Sequence, residues 1–359
     1  MCSAQFGLNL PDKLVKMVTI KAKDFIDGMR GNAVLDIRTP AEFSEGHLPG
    51  AISFPLFSDE ERVVVGTLYK QQGRNQAVLK GLELVGPKLK KFVLKAAKFE
   101  GPLYLYCWRG GMRSNSMAWL LSTAGREVYV LEGGYKAYRG YCRELISNGL
   151  KLIMISGPTG SGKTEILHQL SLLGHQILDL EGLANHRGSS FGGIGQLPQP
   201  GTEQFTNLIF EKISGFDLSR PIWVEGESVN IGKVFILEEL FSQMNSCPTI
   251  RIDPPKSQRI ERLVRDYAYF PVEQLQQSVE KISKRLGGKD TLETLEALHA
   301  GDYRKVVDIT LDYYDKTYDF SMARRETQMI PFVPGSFEPE VAAREIGEFA
   351  QTDLRFWNK

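Results

Sequence analysis

Short apolar runs alternate with helical patterns along the first half of the chain. Strands are predicted at AVLDI (33–37), PLYLYC (102–107) and REVYVLEGG (126–134), because each run is rich in β-branched, aromatic and other apolar residues and ends at breaker or polar positions. Helices are predicted at SNSMAWLLSTAG (114–125) and KAYRGYCRELI (136–146). Strands that alternate with helices in this way indicate an α/β domain with a largely parallel sheet.

The same alternation starts again after residue 149. Further strands are predicted at LKLIMIS (150–156), HQILDLE (175–181), PIWVEGE (221–227) and TIRIDPP (249–255), and a helix at TEILHQLSLLG (164–174). From about residue 256 the pattern becomes that of charged, amphipathic helices. The chain is therefore predicted to contain two α/β domains, at 14–143 and 150–359, the second with a helical C-terminal part.

The composition of the chain indicates the protein's compartment and class of partner rather than the reaction that it catalyses. The 359 residues carry 44 Lys and Arg against 43 Asp and Glu, so a net charge of +1 neither demands nor excludes an anionic partner. The four cysteines stand far apart without a C-x-x-C pair, which argues against a structural zinc cluster and for a reducing compartment. No apolar run approaches the ~20 residues of a membrane helix. We expect a cytoplasmic protein without a membrane partner.

One cysteine follows a predicted strand and precedes a predicted helix. It opens the segment C-W-R-G-G-M-R-S, in which Gly110 and Gly111 allow successive backbone N–H groups to point into one concavity. Arg109 and Arg113 add positive charge, and the following helix adds its N-terminal dipole. These surroundings lower the pKa of a thiol, and a buried structural cysteine does not need them. We therefore predict that Cys107 is a catalytic nucleophile.

Three motifs in the first domain occur in the order typical of rhodanese-like domains. They are DIRTPAEFSEGHLPGA from residue 36, the cysteine loop at 107–114, and LEGGYKAY at 131–138. The resemblance covers roughly residues 15–140 and implies a cysteine that carries a sulfur or selenium adduct. The C-x5-R spacing resembles the phosphatase members of that fold instead, so the loop is expected to accommodate a phosphate-bearing donor. The helical segment between residues 55 and 102 is long for such a domain.

A phosphate-binding loop opens the second domain. The residues G-P-T-G-S-G-K-T fit G-x-x-x-x-G-K-[ST] and stand between a predicted strand and a predicted helix. Gly157, Gly160 and Gly162 expose backbone N–H groups to phosphate oxygens. Lys163 supplies a positive charge, and Thr164 is a candidate ligand of Mg²⁺. The pattern predicts a site for a di- or triphosphate.

Four further residues are candidates for the same site. P-loop hydrolases hold their metal with an Asp after a second apolar strand, but here that strand is followed by Glu225 and Glu227, either of which could take this part. Mg²⁺ is therefore a candidate ion for this site, but the sequence does not determine which residues would bind it. His186 and Arg187 lie in a Gly-rich loop after another strand, where ligands tend to bind in α/β sheets.

Two basic clusters are candidates for binding a polyanion. Arg259, Arg262 and Arg265 stand three residues apart and are predicted to share a helix face. The other cluster is a Lys-rich helix at 88–98. A solvated helix surface explains either cluster equally well. Of the two, the arginines are favoured, because they belong to the P-loop domain and arginine matches phosphate geometry better than lysine.

The two domains together resemble one family, the tRNA 2-selenouridine synthases. The resemblance rests on the C-x5-R loop, the P-loop, DLEGLANHRGSSFG from residue 179 and WVEGES from residue 223, and it covers nearly the whole chain. It implies geranylation of wobble 2-thiouridine in tRNA by geranyl diphosphate, followed by replacement of the geranylthio group with selenium from selenophosphate. Cys107 would carry the selenium as a selenylsulfide, and the P-loop would bind the diphosphate. The two donors would be co-substrates, with no tightly bound cofactor.

Four other functions are compatible with parts of the sequence. They are a P-loop kinase with a rhodanese regulatory domain, a rhodanese sulfurtransferase with a nucleotide-sensing domain, a phosphatase, and a non-catalytic RNA-binding module. The kinase needs ATP turnover and a nucleobase pocket. The binding module needs neither an activated cysteine nor a phosphate loop.

Overall fold

The computed structural model describes residues 17–322 and 329–353, without the side chains of residues 321 and 322. Within this part the chain divides into two compact units, one ending at Leu145 and the other beginning at Ile146. Residues 14–16 and 354–359 of the predicted domains, and Cys2, lie outside the described residues. No helix of the described residues is long and apolar enough to cross a bilayer.

The first unit is built on a five-stranded parallel sheet of order β1-β5-β4-β2-β3. Its strands are β1 (Met17–Ile20), β2 (Ala33–Asp36), β3 (Ile52–Ser53), β4 (Leu103–Tyr106) and β5 (Val128–Leu131). Its helices are α1 (Ala22–Gly28), α2 (Pro40–Glu45), α3 (Asp59–Gln72), α4 (Arg74–Val85), α5 (Leu89–Ala96), α6 (Met112–Thr123) and α7 (Gly134–Ser147). The central β4 is buried along its whole length, as expected for a strand covered on both faces.

The long segment between residues 55 and 102 forms three helices, α3, α4 and α5. A short 3₁₀ turn at Gly86–Lys88 joins α4 to α5. Helix α3 begins with a capping box, in which the Ser58 side chain accepts from the Glu61 amide and the Glu61 carboxylate accepts from the Ser58 amide. Helices α3 and α4 form an antiparallel pair around Gly73, where the backbone turns with φ of 85°. This pair stands beside the cysteine loop.

The second unit holds another parallel five-stranded sheet, of order β12-β11-β6-β8-β7, and a small antiparallel pair, β9 with β10. The strands are β6 (Leu152–Ser156), β7 (Gln176–Leu178), β8 (Ile222–Glu225), β9 (Asn230–Ile231), β10 (Val234–Phe235), β11 (Thr249–Arg251) and β12 (Met329–Pro331). The helices are α8 (Lys163–Leu172), α9 (Leu180–Ala184), α10 (Thr202–Ser214), α11 (Glu238–Ser246), α12 (Lys256–Tyr267), α13 (Val272–Leu286), α14 (Gly288–His299), α15 (Tyr303–Met322) and α16 (Pro339–Thr352).

The two parallel sheets, with helices between successive strands, confirm the predicted α/β class. Helices α12 to α15 lie where charged helices were predicted, but β12 then returns to the sheet beside β11, so the C-terminal part is not helical throughout. The strand predicted at 175–181 is too long, because Asp179 accepts a hydrogen bond from the Gly182 amide and starts helix α9. Arg251 ends strand β11, and α12 begins only after Pro255.

Candidate active site

The cysteine loop joins the end of β4 to the start of α6. Cys107 is only 3% exposed, and its Sγ lies 3.2 Å from the Ser114 hydroxyl. The carbonyl of Cys107 accepts from the Tyr135 amide at 2.8 Å, and the carbonyl of Trp108 accepts from the Lys136 amide at 3.1 Å. The first turn of α7 therefore fixes the backbone of the cysteine loop from behind.

Gly134 allows this close approach. Its φ is 60°, and a Cβ there would collide with the Cys107 carbonyl oxygen and the Gly110 amide nitrogen. The GG pair of the LEGGYKAY motif, which follows β5, is therefore part of the cysteine loop's support.

The predicted arginines of the loop have different surroundings. Arg113 forms a two-point ion pair with Glu42, with nitrogen–oxygen distances of 2.6 and 3.3 Å. Burial opposes ionisation of Glu42, but the Arg113 guanidinium outweighs it and lowers the pKa of that carboxyl. Arg109 is exposed on the opposite side of the two glycines, Gly110 and Gly111. The Arg113 guanidinium is thus fixed by the Glu42 carboxylate, whereas the exposed Arg109 guanidinium can bind an anion at the surface.

Behind the loop, Asp36 and Arg38 form a buried ion pair at 2.7 Å. Arg38 also donates to the Gly46 carbonyl and stacks over the Tyr135 ring at 4.0 Å. These contacts make both residues parts of the framework that supports the loop.

In the second unit, the P-loop joins β6 to α8, as the motif requires. Lys163 Nζ donates to the Gly157 carbonyl at 3.0 Å, so the ammonium group curls over the loop. Gly162 has a φ of 81°, and a Cβ there would stand 2.9 Å from the Arg262 guanidinium carbon. Arg262 also donates to the Gly160 carbonyl at 3.0 Å. The loop thus carries one cation at each side of its anion-binding backbone.

Three carboxylates lie beside Thr164. Its hydroxyl is 2.7 Å from Glu225 Oε2 and 3.1 Å from Glu181 Oε2, and Glu227 completes a group whose oxygens lie within 4.8 Å of one another. Burial, with the nearby Glu227, raises the pKa of Glu181 to about 8. Burial and Glu181 raise the pKa of Glu225 well above its ordinary range. Closely spaced buried carboxylates retain protons until a cation replaces them.

Hard oxygen ligands of this kind suit a divalent cation such as Mg²⁺. Glu225 stands at the end of β8, where P-loop enzymes place their metal-holding acid, so both predicted glutamates belong to this cluster. Sequence reasoning missed Glu181. The signal in the sequence was its place at the end of the predicted strand 175–181, because ligands bind at the carboxyl ends of parallel strands. The pairing of β7 with β8 then brings Glu181 to the same edge of the sheet as Glu225.

A cavity of about 1630 Å³ opens in front of the P-loop. One wall is aromatic and is formed by Tyr267, Tyr269, Tyr313, Tyr314, Tyr318 and Phe320. Arg187 reaches this wall, with its guanidinium 5.8 Å from the centre of the Tyr267 ring. His186 instead lies beside Gly232, and burial and the nearby Lys281 lower its pKa. Of the two neighbours predicted for the site, Arg187 lines the cavity and His186 packs behind it.

The three candidate arginines for RNA binding do not form one exposed face. Arg259 is 6% exposed and forms a two-point ion pair with Asp315, both nitrogen–oxygen distances being 2.8 Å. Arg262 is engaged by the P-loop and by Glu165. Arg265 is 61% exposed but pairs with Glu165 and Asp266. The three side chains do lie along one side of α12, because Arg259 and Arg262 both donate to P-loop carbonyls and Arg262 and Arg265 share Glu165. Burial and ion pairing, however, prevent that side from being an exposed cationic surface.

Comparison with known proteins agrees with this architecture. Residues 150–338 match the family described as tRNA 2-selenouridine synthase AAA domain, and residues 21–141 match the rhodanese-like domain. The tRNA 2-selenouridine synthase of Nitrosomonas europaea is 38% identical over 73% of this chain and 70% of its own length. That of Shewanella sediminis is 32% identical over 84% of this chain and 91% of its own length.

Among solved structures, a rhodanese-related protein of Thermoplasma volcanium is 19% identical, covers 34% of this chain and 92% of its own, and has a TM-score of 0.23. The sequence relatives carry the assignment, because they span both units and match at more than 30% identity. The resemblance seen in the sequence is thereby confirmed, and the chain belongs to the tRNA 2-selenouridine synthase family.

Proposed function

We propose that this enzyme converts wobble 2-thiouridine of tRNA into 2-selenouridine in two steps. Geranyl diphosphate first alkylates the sulfur, and selenium from selenophosphate then replaces the geranylthio group. Family membership supports the coarser statement, an enzyme that transfers selenium to tRNA. The observation that carries the finer one is the pairing of a P-loop with an aromatic-walled cavity in the second unit, together with a cysteine loop in the first.

In the first step the thiouridine sulfur attacks the allylic carbon of the donor, the carbon–oxygen bond breaks, and diphosphate leaves with the electron pair while N3 loses its proton. Negative charge grows on the leaving oxygen, so fixed positive groups around the diphosphate accelerate the step. Lys163, Arg262 and the P-loop amides are those groups. Aromatic faces in the cavity stabilise the positive charge that develops on the allylic carbon.

The carboxylate cluster would hold a divalent cation through Glu225, Glu181 and Glu227, with Thr164 beside them. When bound, such an ion supplies positive charge that offsets the charge of the diphosphate.

In the second step the C2–Se bond forms as the C2–S bond breaks, and geranylthiolate leaves and takes a proton. The phosphoryl group of selenophosphate passes to water, so the exchange needs neither oxidant nor reductant. Alkylation prepares the leaving group, because a thiolate departs far more readily than a thiocarbonyl sulfur. A selenylsulfide on Cys107 would need a two-electron oxidant, so in this redox-neutral step the Cys107 thiolate would instead attack phosphorus and release selenide, and water would then hydrolyse the phosphocysteine. The loop amides and Arg109 would bind the phosphoryl oxygens.

The tRNA partner follows from this chemistry, and a cytoplasmic site of action is part of the proposal. The lysines of the predicted basic cluster lie on α5 and at its ends. Lys88, in the preceding 3₁₀ turn, is paired with Glu61, and Lys95 donates to the Ser53 carbonyl. The remaining lysines of α5, Lys90 and Lys91, leave this helix as the better candidate surface for RNA phosphates than the arginines of α12.

The test is mass spectrometry of nucleosides from a 2-thiouridine tRNA incubated with the enzyme. Geranyl diphosphate alone should give S-geranyl-2-thiouridine, and later addition of selenophosphate should convert this product to 2-selenouridine. ATP in place of geranyl diphosphate should give neither product. ATP hydrolysis coupled to selenation in the absence of the prenyl donor would contradict the proposal and favour the P-loop kinase or nucleotide-sensing alternatives.

A further inference from the structure

A deep groove of about 1110 Å³ runs between helices α3 and α4 and ends at the cysteine loop of the first unit. Cys107, Trp108 and Met112 line it at the cysteine loop. Leu56 and Phe57 form a buried floor. The catalytic thiol therefore opens into a space made by the helices that lengthen this domain.

The groove is far larger than a selenophosphate ion requires, since pockets of ~300–1,000 Å³ already hold whole organic ligands. Its walls beyond the loop are apolar. Val63 and Tyr69 line it from α3, and Leu82 and Val85 line it from α4. Several of these side chains expose most of their surface to solvent, which is costly unless a ligand covers them.

The rim of the groove is mainly cationic. Arg62 and Lys70 stand on α3, Arg74 begins α4, and Arg109 belongs to the cysteine loop. Of the two acids on the rim, Glu42 is already paired with Arg113. An apolar floor under a basic rim matches a ligand that carries an apolar group on a polyanion.

We propose that this groove binds the prenyl chain of S-geranyl-2-thiouridine in tRNA while the selenium step takes place at Cys107. The inference rests on the proposed function and assigns the alkyl chain a second binding site, in the first unit. The chain would lie on the apolar walls, and the rim cations would face the phosphates of the anticodon loop. C2 would then stand near the loop, with its geranylthiolate leaving into a space that retains the thiol.

The groove also explains why alkylation would promote selenation beyond improving the leaving group. Burial of an allylic chain contributes binding energy in proportion to the apolar area covered. A second copy of the chain is a poorer occupant, because a symmetric contact would place the cationic rim against itself.

Leu82→Asp and Val63→Asp test the groove, since each places a charge on an apolar wall at an exposed position. Leu79→Asp and Val64→Asp are matched controls on the same helices outside the groove. Leu82 is 64% exposed and Leu79 is 60% exposed, so neither change should unfold the protein.

The assay compares kcat/KM for selenation of two chemically prepared anticodon stem-loops, one S-geranylated and one S-methylated. The wild type should prefer the geranylated RNA by at least about tenfold, and the groove variants should reduce this preference to about twofold or less. The controls should keep it. An equal preference in groove and control variants, or no preference in the wild type, would overturn the proposal.

Two further measurements separate the possible failures. Geranylation of 2-thiouridine RNA should be unchanged in all four variants, because the prenyl donor binds in the second unit. If the wild-type enzyme fails to geranylate RNA but still prefers the S-geranylated RNA in selenation, the proposed function is wrong, whereas the groove remains supported as a site for the prenyl chain. If the groove variants instead convert a dimer to a monomer in light scattering, the groove is an interface between copies and the proposal is wrong.

Discussion

Replacing Lys163 with alanine removes the side chain that curls over the phosphate loop. Its ammonium donates to the Gly157 carbonyl at 3.0 Å, and a bound diphosphate oxygen would take over that donor. A hydrogen bond to a charged group contributes about 1.5–3 kcal/mol. That loss corresponds to a decrease of about 10- to 150-fold in kcat/KM for geranylation. Activity should not vanish, because Arg262 and the loop amides remain in place.

The assay is geranylation of a 2-thiouridine stem-loop at subsaturating geranyl diphosphate, followed by nucleoside mass spectrometry. Lys151→Ala is the matched control, since Lys151 donates only to the Ser219 carbonyl, outside the loop. Selenation of chemically geranylated RNA should proceed at the wild-type rate in Lys163→Ala. A wild-type geranylation rate in this variant, or an equal defect with the geranylated RNA, would refute the assigned role.

Four further outcomes are expected. Cys107→Ala should abolish selenation and leave geranylation within about twofold, and equal loss of both products would contradict separate sites. Urea unfolding should find Arg259→Ala destabilised by about 1.5–3 kcal/mol, through loss of charge-assisted hydrogen bonds to the partly exposed Asp315, and Arg265→Ala by less than about 1 kcal/mol. Calorimetry should find Mg²⁺ binding tighter at about pH 8.5 than at about pH 6.5, since the raised pKa of Glu181 leaves that carboxyl protonated below about 8; no pH dependence would argue against this ligand. Replacing the lysines of α5 together should weaken tRNA binding and reduce its salt slope by ~0.9 per lost contact, whereas an unchanged slope would exclude this helix.

Local motifs were the part of the site that the sequence could predict. The P-loop lies between a strand and a helix, as its pattern requires, because three closely spaced glycines, one lysine and one threonine determine that structure within eight residues. The thiol, glycines and arginines of the cysteine loop are recognisable in the same way, but the support of its backbone by Tyr135 and Lys136 is not local. Alternating apolar runs likewise predicted most central strands, since a strand buried on both faces is apolar throughout.

Features that depend on distant partners could not be predicted in this way. Spacing along α12 does not reveal that Asp315, on another helix, buries Arg259. The edge strands β1 and β12 were not predicted, because each is only partly buried and lacks the long apolar run of a central strand. Glu181 joins the carboxylate cluster only because Asp179 starts a helix where an unbroken strand was expected. The groove of the first unit likewise exists because α3 and α4 pack beside Cys107.

The support behind the cysteine loop has a consequence for how this domain can be divided or transplanted. The loop's backbone is held by amides of Tyr135 and Lys136, more than twenty residues further along the chain. A fragment that stops before Gly134 would keep the thiol and its arginines but lose the atoms that shape their cradle. The loop and the start of α7 therefore have to be inherited together, as one functional module in any chimera or evolutionary recombination of this domain.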